Sequence, residues 1–141
     1  MSLGKNKDVV RRVTEEVFNK RNLAALDEFF APNLVPNNPL PPGMTRDLEG
    51  YKQLTTAILT AFPDFRITIK DMVAEGDKVV ARAMTQGTQE GDFMGAPATG
   101  KHATWTEIFI WRIAGGKVVE TWAEVDRLGM MQQLGVVPPS G

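Results

Sequence analysis

The segment Thr104–Gly135, TWTEIFIWRIAGGKVVETWAEVDRLGMMQQLG, limits the possible folds of this chain more than any other stretch. It holds two long apolar-rich runs, a Gly-Gly break between them and a short closing helix. Apolar and polar residues alternating along such runs make half-buried strands, and a Gly-rich break joins them as a hairpin. Reading Ala114-Gly115-Gly116 as a three-residue loop, with Gly116 left-handed and a bulge, sets Ile113 opposite Lys117 and Glu107 opposite Ala123. Cross-strand partners share a face. One face then carries Trp105, Glu107, Phe109, Trp111, Val119, Thr121, Ala123 and Val125. The other carries Thr104, Thr106, Ile108, Ile110, Arg112, Val118, Glu120, Trp122 and Glu124. A face of aromatic rings around a single acid is assigned to a cavity. The second face, with Arg112 near Glu120, suits a dimer contact or solvent. A two-residue turn would swap the parity of one strand.

Upstream, the period is helical. Val9, Val10, Val13, Val17 and Phe18 recur at helical spacing over Asn6–Arg21, and Leu23–Phe30 makes a second helix. Residues 31–46, APNLVPNNPLPPGMTR, hold five prolines, which predicts an ordered extended loop. Leu48–Phe62 is a third helix, stopped by Pro63. From Asp64 the period changes to two. Strands are predicted at 64–70, 78–86, 102–113 and 117–125, with a Gly/Pro-rich connection over 87–100 and a final helical segment over 126–134. Helices first and strands afterwards indicate an α+β domain. A long twisted antiparallel sheet curls, and three N-terminal helices on its concave face leave a cone with a cavity. The domain is placed at residues 5–135, with tails at 1–4 and 136–141.

At 141 residues the chain has room for one domain that buries roughly two thirds of its unfolded surface. A net charge of −1 favours neither nucleic acid nor an anionic membrane. No apolar run approaches a membrane span, and MSLGKNKDVVRR lacks the apolar core of a signal peptide, so a cytoplasmic location is expected. The chain has no cysteine and one histidine, which excludes thiolate catalysis, disulfides and a His-rich metal site. No cofactor and no metal are expected.

Glu107 is the acid on the aromatic face. Desolvation among rings raises a carboxyl toward the range of a general base. The competing reading is a structural carboxylate neutralised by Arg82. Trp105, Phe109 and Trp111 are walls for a flat ligand, or plain core. Tyr51 sits on the apolar side of the third helix, with its hydroxyl entering the cavity or reaching solvent. Asp126 reads as a helix cap, His102 as a rim or surface residue, and Met94, Met130 and Met131 as adaptable packing.

The order of elements, the segment FMGAPATGKHATWTEIFIWRIAGGKVVETW and the ending DRLGMMQQLG resemble the SnoaL-like polyketide cyclase family, within the nuclear-transport-factor-2-like superfamily. The resemblance runs from about Asp8 to Gly135. It implies the cone fold, a homodimer formed through the sheet, and polar ligand-contacting groups near Asn37 and Asn38. Aligned from Gly116-Lys117, the family's acid/base aspartate falls on Ala123 and its assisting histidine on Phe109, neither of which transfers protons. The expectation is therefore a protein that binds a small, apolar, possibly polycyclic molecule against Asn37, Tyr51, Trp105, Phe109, Trp111, Thr121 and Ala123. If catalytic, it uses Glu107 as base in cyclase or isomerase chemistry. A non-catalytic ligand-binding protein and an epoxide hydrolase-like enzyme are the alternatives.

Overall fold

The computed structural model describes residues 3–38 and 40–136. The chain opens with α1 (Leu3–Val13), whose fully buried Val10 and Val13 face the core. It then loosens into a π-helical stretch, Thr14–Asn19, before Arg21 ends it with φ of 61°. One long helix was expected here. The hydroxyl of Thr14 donates back to the Val10 carbonyl at 2.9 Å, as those of Thr55 and Thr56 do to Tyr51 and Lys52 within the regular helix that follows. Asn19 then acts as a piece of backbone: its amide donates to the Ile67 carbonyl at 3.0 Å and its oxygen accepts from the Ile67 amide at 2.8 Å. The second helix, α2, is a 3₁₀ turn (Leu23–Ala25) running into Leu26–Phe29. The third, α3 (Leu48–Ala61), is capped by Asp47, which accepts from the Gly50 amide at 2.9 Å.

Five strands follow the order β1-β5-β4-β3-β2. They are β1 (Phe30–Pro36), β2 (Arg66–Glu75), β3 (Lys78–Thr88), β4 (His102–Ala114) and β5 (Lys117–Val125). The α+β architecture and the curved sheet covered by helices are as the sequence implied. The strand β1 is an addition: it pairs parallel to β5 where an extended loop was predicted, so the sheet is mixed and not wholly antiparallel. Pro32 and Pro36 are compatible with it because β1 is an edge strand, where a missing amide costs no ladder bond. A short helix, α4 (Arg127–Leu134), closes the described chain. The expected tails lie mostly outside the described residues. Among the described residues no helix is long and apolar enough to cross a membrane.

The β4–β5 hairpin corrects the expected register. Its turn is the two residues Gly115-Gly116, with φ of 59° and 80°, the pair of left-handed values that a tight hairpin of this twist requires. Ala114 therefore faces Lys117. Alone, that would have inverted the parity of one strand. A bulge at Val119 restores it, so that Arg112 pairs with Glu120, Phe109 with Ala123 and Glu107 with Val125. From Thr121 onward the expected faces hold, displaced by two residues in partner. At the bulge they do not: Val118, not Val119, is fully buried and pairs with Ile113. On the outer face Arg112 donates to Glu120 at 3.0 Å.

Candidate functional site

The concave face of the sheet, the π-helical stretch after α1 and helix α3 enclose two adjoining chambers, of about 80 Å³ and 60 Å³. The larger holds the polar groups of Thr14, Asn38, Tyr51 and Thr55 beside the rings of Phe109 and Trp111 and the methyl of Ala123. The smaller is apolar, walled by Phe62, Phe65, Phe93, Trp105 and Met130. Glu107 and Arg127 line both. The rings hold one another. Phe30 packs on Tyr51 with centroids 4.9 Å apart, Phe109 on Trp111 at 4.7 Å, and Trp105 on Phe62 at 5.5 Å. Trp111 also meets Phe30 of β1 edge-on at 5.7 Å, which ties the β4 rings to a second element.

Glu107 is part-buried and lines both chambers, and it also borders an open depression with Thr106, Glu124 and Asp126. Burial pushes its carboxyl up from 4.5 to about 6; the nearby Thr85 hydroxyl and the charge of Arg127 oppose the rise. Thr85 is fully buried and, although it faces Glu107, its hydroxyl does not reach a partner at hydrogen-bond geometry. The anticipated partner of Glu107, Arg82, lies on the opposite face of β3, where its Nε donates to Asp71 at 2.6 Å. Among the described residues no Lys, Arg or His nitrogen stands within 4.0 Å of the Glu107 carboxylate. Tyr51 is buried, and that burial, followed by the negative charge of Glu107, raises its phenol well above the ordinary value. It is a hydroxyl donor and not a base.

The remaining predicted residues separate. Tyr51, Phe109, Trp111 and Ala123 line the larger chamber, and Trp105 lines the smaller one. Thr121 does not reach the space: it is fully buried, and its hydroxyl donates to the side-chain oxygen of Asn38 at 2.6 Å. Asn37 is on the wrong side of the sheet. Its amide donates to Glu120 at 3.1 Å, and it borders an outer groove with Ile108, Ile110 and Trp122. The alternation of β1 continues past Pro36, so consecutive asparagines point to opposite faces and Asn38 takes the inner one. Asp126 caps α4 by accepting from the Gly129 amide at 2.9 Å. His102 is exposed at the start of β4, within 3.0 Å of the Thr88 hydroxyl. Among the described residues no group of three or more His, Asp or Glu side chains could hold a metal ion.

Arg127 is the residue that the sequence reading missed. It opens α4, where the helix dipole disfavours a cation. That misplaced charge was the available signal. Its guanidinium lies over the Phe93 ring, 5.3 Å from the centroid, and its Nη1 is 2.6 Å from the sulfur of Met94. Burial lowers its pKa, and the charge of Glu107 opposes that shift.

With this geometry in hand, comparison with known proteins is informative. A family model described as SnoaL-like polyketide cyclase matches residues 8–134. Among solved structures, TsrD from Streptomyces laurentii is similar with a TM-score of 0.87 and 28% identity, covering 97% of this chain and 99% of that one. IdmH from Streptomyces antibioticus, a candidate polyketide cyclase, has a TM-score of 0.80 and 35% identity, covering 93% of this chain and 99% of its own. A candidate polyketide cyclase from Acidithiobacillus ferrooxidans has a TM-score of 0.81 and 33% identity, with 96% and 98% covered. No curated protein matches.

Proposed function

Since the chain belongs to the SnoaL-like polyketide cyclase family, we propose that it is a cofactor-independent cyclase or isomerase acting on a small, largely apolar carbon acid, with Glu107 as general base. One observation carries this reading. Glu107 is the carboxylate that lines both chambers, its midpoint is pushed up to about 6, and no cation neutralises it by direct contact among the described residues. A base with a midpoint near the working pH combines the ionised form with useful proton affinity.

The Glu107 carboxylate takes a proton from a carbon beside a carbonyl, and the C–H electron pair moves into the carbonyl system to give an enolate. In a cyclase, the enolate carbon then bonds to a second carbonyl carbon of the same molecule. The alkoxide formed there receives the proton back from Glu107. In an isomerase, the proton returns to a different carbon. The larger chamber, about 80 Å³, has room for about three water molecules. This volume supports a compact ligand; a polycyclic one requires the two chambers to be joined.

A specific observation favours a second reading, a non-catalytic ligand-binding protein. The positions of the family's aspartate and histidine, Ala123 and Phe109, face each other across β4 and β5 and hold no proton-transferring group. Hydrogen–deuterium exchange of a panel of 1,3-dicarbonyl compounds separates the two. Wild type should exchange the C–H faster than buffer, and Glu107→Gln should lose at least tenfold. Equal rates remove Glu107 from the mechanism; binding without exchange in wild type supports the second reading. Epoxide hydrolysis needs a second carboxylate, and the described residues supply only Glu107 to the chambers. We also propose a homodimer through the outer sheet face, where Ile108 is 47% exposed beside Trp122. Ile108→Glu should then sediment as a monomer.

A further inference from the structure

Glu107 and Arg127 line the same two chambers, yet they do not form an ion pair. Opposite charges sharing so small and apolar a space attract strongly, and contact is the ordinary outcome. Here the guanidinium instead lies over the face of Phe93, beside the sulfur of Met94. A thioether accepts hydrogen bonds poorly, and a ring offers only its quadrupole. Neither neutralises the charge. The cation also opens α4, the end where the helix dipole opposes it, so its position is not explained by the stability of α4. Because both residues border the same chambers, a bound molecule can meet the carboxylate and the guanidinium fork together.

We infer that Arg127 is the oxyanion-stabilising residue of this site, and that its substrate presents a carbonyl oxygen to Arg127 while the adjacent C–H faces Glu107. This deepens the assignment of Glu107 as base and rests on it for the identity of the reaction. As the C–H bond breaks, the proton goes to Glu107 and the electron pair to the oxygen, which becomes anionic beside the guanidinium. Donors already aimed at the place where charge develops need no rearrangement as the bond breaks. The substrate class is therefore a carbonyl-activated carbon acid. Its apolar remainder is directed toward the aromatic chamber of Phe62, Phe93 and Trp105, and its oxygenated part toward Tyr51 and Asn38.

The test uses 4-nitrophenol, a single ring whose absorption distinguishes phenol from phenolate and whose oxyanion imitates an enolate. Bound to wild type, its ionisation midpoint should fall below the free value. In Arg127→Met it should return to or exceed that value, with phenolate affinity at least tenfold weaker; Arg127→Gln serves if that variant does not fold. Glu107→Gln should hold phenolate more tightly than wild type, since a repelling carboxylate is gone. This readout needs no turnover. Failure of Glu107 as base appears in the exchange assay, and failure of Arg127 appears here. No binding to wild type, binding of the neutral phenol only, or equal midpoints in wild type and both Arg127 variants would overturn the inference.

Discussion

Glu107→Gln measures what holding a carboxylate in this cavity costs. The carboxyl rises from 4.5 to about 6 chiefly because burial disfavours its charge. A folded-state value above the unfolded one means that the native state binds the proton more tightly. The stability this group contributes is therefore fully present below about pH 4.5 and is lost as the pH rises through about 6. That separation corresponds to about 2 kcal/mol above pH 7. Glutamine keeps the shape and cannot ionise. Relative to wild type, Glu107→Gln should thus gain about 2 kcal/mol between about pH 4 and about pH 8. For a domain of this size the gain is roughly 6–8 °C in Tm at the higher pH. Urea unfolding of both proteins across that range, with a common m value, reads the difference directly. A difference that does not change with pH would refute the reasoning. A change of the opposite sign would show a carboxylate held ionised by a direct cation, and the base assignment would fall with it.

The Thr85 hydroxyl is buried without a hydrogen-bond partner, so Thr85→Val should be neutral or stabilising by up to about 1 kcal/mol in urea unfolding. Ala123→Asp puts a second acid in the larger chamber, and repulsion between like charges should move the Glu107 titration to higher pH. An unchanged titration would place the two side chains out of electrostatic reach. Gly87 lies against Phe62, where an added Cβ would stand 2.9 Å from the Phe62 Cβ. Gly87→Ala should cost about 1–3 kcal/mol through overpacking, and a loss within error in urea unfolding would show that Phe62 yields.

Much of the fold was legible because its signals are local. The period of two from Phe65 onward and the helical spacing of Val10, Val13 and Val17 follow from which side chains must leave water, and the same residues are buried in the structure. The π-helical stretch was not legible, because the apolar spacing over it fits a regular helix equally well and its end is pinned by Asn19 to Ile67, 48 residues away. The site divides in the same way. Glu107, Phe109 and Trp111 were placed on one face by strand parity alone. Parity survived the wrong turn length only because the bulge at Val119 restored it, and no periodic signal in the sequence marks that bulge.

The sequence by itself determined the element types, the inner and outer faces of β4 and most of β5, and the absence of a proton-transferring group at Ala123 and Phe109. Periodicity and residue chemistry are properties of a few neighbouring residues, so one strand is enough to read them. Tertiary structure alone decided that the Pro-rich stretch pairs with β5 as an edge strand. It decided that Asn38 rather than Asn37 turns inward, through a hydrogen bond to Thr121 that spans 83 residues of chain. It also brought Arg127 from the start of α4 to the chambers that Glu107 lines. Each of these is a meeting of segments distant in sequence, selected by the packing of the whole domain, and local periodicity carries no record of it.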